Sequence, residues 1–222
     1  MRDVFILLIA AALAGLFYWQ LQRAKLRAAA LPEQLFGRVR HLFTDAKIED
    51  GQSVGTWILV GTYEDHPFQL KAIVDTLAAR KLPSLWLMVT LPELQPVKAS
   101  LNLMMRPSGA TTFSNFDFLP GSLATPAGFP LHAVIRTDDE AVCPPVNVLS
   151  KSLALFHTRF GKEFLVSPQG LRIVVQVAEV DRVRYGVFRE ANFGDTVIDA
   201  DVVKECLDTL LSLQDALRKE NV

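Results

Sequence analysis

An α+β fold is what this sequence predicts: an N-terminal transmembrane helix, then a mostly antiparallel sheet packed by two late helices. Three observations predict it. The chain opens on an apolar run, "VFILLIAAALAGLFYW". Segments rich in β-branched and aromatic residues then follow one another as hairpins, as in "VGTWILVGTY…FQLKAIV". Helix-spaced Leu and Phe stripes appear only late in the chain.

Val4 to Trp19 form 16 consecutive apolar or small residues. As a helix they cover about 24 Å, short of the roughly 30 Å hydrocarbon core. Leu21 extends the run, Tyr18 and Trp19 suit an interface, and Arg23, Lys25 and Arg27 follow. We read residues 1–21 as an uncleaved signal-anchor, a single-pass integral span. The alternative is a signal peptide cut at Ala12-Leu13-Ala14. Flanking Lys and Arg favour a cytoplasmic body on a bacterial inner membrane, with the periplasm as the alternative.

Residues 22–47 read as a juxtamembrane helical linker, with Leu35, Val39 and Leu42 on one stripe. Residues 48–222 read as the α+β globular domain. Its first hairpin turns at Glu64–Pro67. "SLWLMVTL" (84–91) and "KASLNLMM" (98–105) form a second strand pair. A Gly-, Pro-, Ser- and Thr-rich stretch from Arg106 to Phe129 precedes a strand in "PLHAVIRT". Leu149, Leu153, Phe156 and Phe160 predict a helix over 146–160. "EFLVSPQGLRIVVQV" is a hairpin turning at Ser167–Gly170, and "RYGVFREANF" reads as an edge strand. A closing helix runs from Asp201 to Lys219, capped by Asp199 or Asp201, with Val203, Leu207, Leu210, Leu213 and Leu217 facing inward.

Composition narrows the function. Of 222 residues, 50% are hydrophobic and 21% charged, with a net charge of −1. Taking Arg2, Arg23, Lys25, Arg27 and Asp3 from the 23 basic and 24 acidic residues leaves 19 against 23, a body at −4. That body has no basic footprint for nucleic acid. Two cysteines, Cys143 and Cys206, are too few for a disulfide scaffold and read as ordinary thiols. No phosphate-cradling G-x-x-x-x-G-K-[ST], no G-x-G-x-x-G, no H-E-x-x-H and no G-x-S-x-G is present. No cofactor or metal is expected.

The polar clusters have plain readings. Glu64, Asp65 and His66 suit a solvated turn better than a metal site. Asp138, Asp139 and Glu140 suit a solvated loop before a helix. His132 and His157 lack a partner carboxylate in sequence. The binding candidates are the aromatic loop Phe113, Phe116 and Phe118, which could dock a partner, and the strip Arg182, Arg184 and Arg189, which could hold an anion or headgroup.

The segments "VGTY" (60–63), "LNLMMRP" (101–107), "VLSKSLALF" (148–156) and "VVKECLDTLLSLQDAL" (202–217) give the chain a layout. It resembles a group of bacterial membrane-anchored proteins with one N-terminal helix and an α+β body. The resemblance implies no activity and carries over no functional residue. The expected function is a membrane-tethered, non-catalytic interaction or scaffold domain. The alternative is an envelope enzyme, hydrolase-like, with a dispersed active site.

Overall fold

The structure is a computed structural model that describes residues 13–20, 22–23, 30–51, 56–75, 82–107, 111, 113–158, 160–180, 182, 185, 191, 193 and 196–220. Among the described residues, nine strands form one sheet: β1 (Thr44–Asp50), β2 (Thr56–Tyr63), β3 (His66–Asp75), β4 (Ser84–Leu91), β5 (Leu101–Met105), β6 (Gly121–Leu123), β7 (Ala133–Thr137), β8 (Gly161–Ser167) and β9 (Gly170–Glu179). Their order is β1-β2-β3-β4-β9-β8-β5-β7-β6. Every pairing is antiparallel.

The central strands are apolar on both faces, as strands covered on both sides must be. In β4, Leu85, Leu87, Val89 and Leu91 point to the main core, which is completed by the long helix (Ala200–Glu220). Met88 and Trp86 point to the other face, where Ile73, Met104 and Val174 gather. The long helix buries Val203, Leu207, Leu210, Leu213 and Leu217, with Cys206 among them. Its cap is Asp199, whose carboxylate accepts the Asp201 N–H at 2.9 Å.

The transmembrane helix is corrected here. No helix among the described residues is long and apolar enough to cross a membrane. The Arg23 guanidinium lies 5.1 Å from the Trp19 ring centre, an i,i+4 pair on helical residues. The integral single-pass span, the signal-anchor reading and the membrane as partner are overturned. Residues 1–12 and 21 of that segment lie outside the described residues.

Other elements depart from expectation. Leu35, Phe36 and Val39 are core residues, and the Leu35 carbonyl accepts the Ile198 N–H at 3.1 Å. This ties residues 30–36 to the entry of the long helix. β4 and β5 are not neighbours, because the β8–β9 hairpin inserts between them. The 92–100 connection carries Pro92 and Pro96, which cannot donate to a ladder. The expected helix over 146–160 is a 3-10 helix (Val146–Ser152) followed by one turn (Ala154–His157). Leu149, Leu153 and Phe156 are buried as expected. The turn stops where Thr158 Oγ1 donates to the Leu155 carbonyl at 2.6 Å, and the chain enters β8 at Gly161. Arg182 and Tyr185 are helical, not strand.

Candidate functional site

The aromatic loop divides between core and surface. Phe113 and Phe116 are 6% and 3% exposed and cover the second face of the sheet, whereas Phe118 is 78% exposed. Phe113 packs on Trp86 with ring centres 5.5 Å apart. Arg136 sits 5.1 Å from the Phe116 ring centre and donates to the Asp117 carbonyl at 3.1 Å. Two of the three rings therefore hold the fold, and only Phe118 meets solvent. Arg182 is exposed; Arg184 and Arg189 lie outside the described residues.

Beneath this loop is a buried charge that sequence reading missed. Glu163 is 0% exposed. Its carboxylate accepts from Arg172 Nη2 at 2.9 Å, from Asn102 Nδ2 at 2.8 Å and from Ser114 Oγ. Those three donors supply the pairing that a buried carboxylate needs. Sequence gave little signal, since "KEFLV" reads as an ordinary alternating strand.

The remaining polar clusters do not converge on one point. Glu64 and Asp65 form the turn and hold positive φ of 47° and 66°. His66 turns away from them, and its Nδ1 lies 2.9 Å from Glu93 Oε1. The other Glu93 oxygen receives Gln214 Nε2 at 2.8 Å and Arg218 Nη2 at 3.4 Å. Partial burial works to raise the Glu93 carboxyl, but Gln214, His66 and the Arg218 charge outweigh it and hold it below the usual range. Asp138, Asp139 and Glu140 accept separate backbone N–H groups, those of Ser100, Ala141 and Ser122. Among the described residues, neither His132 nor His157 pairs with a carboxylate, and no group of three potential metal ligands gathers. Cys143 and Cys206 are both free, and burial pushes the Cys206 thiol up.

An open cleft of about 450 Å³ lies between the long helix and the 3-10 helix. Val148, Leu213 and Ala216 give it apolar surface, and Asp201, Glu205 and Asp208 line its helical side. Lys151 and Ser152 face them. Asp208 is already engaged: it accepts Tyr63 Oη at 2.7 Å and pairs with Lys204 at 2.6 Å. Partial burial works to raise the Asp208 carboxyl, yet the Lys204 and Tyr63 bonds bring it below its ordinary value. Burial, then the bond to Asp208, raises the Tyr63 phenol. Ser152 is 8% exposed as a whole residue. The cleft was invisible in sequence because its walls come from segments far apart in the chain.

Comparison with known proteins adds no chemistry. No protein-family model matches the chain, and no curated protein matches it. One similar solved structure is the crystal structure of the mycobacterial trehalose monomycolate transport factor A, TtfA. It is 10% identical, covers 85% of this chain and 95% of that chain, and superposes with a TM-score of 0.45.

Proposed function

We propose that this chain is a non-catalytic binding domain that takes its partner in the cleft between the long helix and Val146–Ser152. The observation that carries the reading is the cleft itself: about 450 Å³, with Val148, Leu213 and Ala216 as an apolar patch inside a mostly polar and charged lining. Its volume lies in the range of ligand-binding clefts. A photo-reactive phenylalanine at Ser212, an exposed residue of the cleft, is expected to give a discrete cross-linked product in cells. The same group at Glu64 is expected to give none. Equal labelling from both positions would overturn the reading.

A hydrolase reading is favoured by one pair, His66 and Glu93. The carboxylate holds Nδ1 of the ring, which leaves Nε2 as the position for a base. Ester hydrolysis lost in His66→Ala and retained in Ser212→Trp would move the function there. The cytoplasm is the proposed compartment, supported by two unpaired thiols. A C-terminal reporter active only outside the cytoplasm would contradict it by lighting up.

A further inference from the structure

Beyond the cleft, we infer a second binding site on the other face of the sheet, for an uncharged aromatic compound that carries a hydroxyl group. Trp86, Arg172, Glu163 and Asn102 stand on four neighbouring strands, β4, β9, β8 and β5. Glu163 is in direct register with Val174 and Met104, so it shares the face on which those two gather with Met88 and Trp86. Arg172 and Asn102, two residues from Val174 and Met104 along their strands, share it too. Three hydrogen-bonding atoms of this strip are shut away from solvent without a partner: Trp86 Nε1, Arg172 Nε and Asn102 Oδ1. Asn102 as a residue is 2% exposed. Folded chains leave few such atoms, because each gives up its bonds to water and gains none in return.

The unused atoms are two donors and one acceptor. A hydroxyl both donates and accepts and so suits this mixed set, whereas a carboxylate or an ammonium suits only part of it. The charges agree, since Glu163 and Arg172 neutralise one another at 2.9 Å. The residues that cover the face give the rest of the ligand. Phe113 lays its ring against Trp86, with centres 5.5 Å apart, and the next residue, Ser114, brings its hydroxyl to Glu163. An aromatic ring beside a hydroxyl is therefore already accepted there, supplied by the chain itself. The Phe113–Ser114 pair is a built-in competitor, and a compound of the same make-up binds by displacing it.

The test is equilibrium dialysis of the full chain against 2-naphthol, 2-methoxynaphthalene and 2-naphthoate. The naphthol is expected to bind about tenfold more tightly than the methyl ether, which cannot donate, and than the anion, which the buried Glu163 carboxylate repels. Ser114→Ala removes the competing hydroxyl and is expected to strengthen naphthol binding about fivefold. Trp86→Phe keeps a ring, loses the indole N–H and leaves the loop untouched; it is expected to weaken binding about threefold. Ser212→Trp, which fills the cleft on the other side of the sheet, is expected to change nothing. Equal binding of the three compounds, no binding of the naphthol, or unchanged or weaker binding in Ser114→Ala overturns the site. So does unchanged binding in Trp86→Phe. Loss in Ser212→Trp would put the naphthol in the cleft and overturn this site while the cleft stands.

Discussion

Removing the Glu163 carboxylate would strand three donors at once: Arg172, Asn102 and Ser114. The Arg172 side chain is mostly buried, so its charge would lose its counter-ion inside the sheet. Glu163→Ala is expected to cost about 3–5 kcal/mol, read as a shift in the urea midpoint. The double variant Glu163→Leu with Arg172→Met, which removes both charges, is expected to lose less than the single. A double variant that is worse than the single would show that the pair contributes more than mutual neutralisation. Gly170 makes a second case at this scale. Its φ is 157°, and a Cβ placed there would lie 2.4 Å from the Leu91 carbonyl oxygen. Because that atom is backbone in a neighbouring strand, the clash cannot be relieved by a rotamer. Gly170→Ala should therefore destabilise by about 2 kcal/mol or more, and a thermal midpoint within a degree of the parent would refute the packing argument.

Among the elements, the β2–β3 hairpin carries a correctable strain. Both turn residues, Glu64 and Asp65, sit at positive φ, the backbone of a two-residue primed turn that favours Asn-Gly. Glu64→Asn with Asp65→Gly is expected to stabilise by about 0.5–2 kcal/mol, and an unchanged or lowered midpoint counts against it. This turn and the Ser167–Gly170 turn were legible in the sequence, because turn chemistry is written in adjacent residues. Strand order was not. Nothing within β4 or β5 says that β8 and β9 will lie between them, since that outcome depends on segments some seventy residues further on. β1 was hidden for a different reason. Its sequence, "TDAKIED", carries the charges that guard an edge strand against pairing, and they mask its period. The Phe113–Phe118 loop was legible as aromatic but not as divided, because burial there is set by the distant Glu163 anchor. The cleft follows the same logic: Ser152 and Glu205 become neighbours only after folding.

At the scale of the whole molecule, Glu93 joins three parts of the chain: the β2–β3 hairpin through His66, its own loop after β4, and the long helix through Gln214 and Arg218. Its carboxyl is held below the ordinary value of 4.5. A folded-state pKa depressed below the unfolded one adds stability that is present above the unfolded value and is lost as pH falls through the folded one. Asp208, also lowered and also on the long helix, acts in the same direction. Stability should therefore fall on acidification below about pH 4.5, as the clasp on the helix is protonated. At alkaline pH the sign reverses. Lys204 and Tyr63 are both raised, so their contribution is present below the unfolded values and is lost as pH rises through the folded ones. Glu93→Gln isolates the acid limb, because glutamine keeps the shape of the protonated carboxyl and carries no charge. Thermal unfolding from pH 7 to pH 3 is expected to show the variant less stable than the parent at neutrality. The two curves should converge as the parent's own carboxyl takes up its proton. Parallel curves over that range would mean that the charge on Glu93 does not fasten the helix, and the stability would have to come from the apolar face of Val203, Leu207 and Leu210 alone.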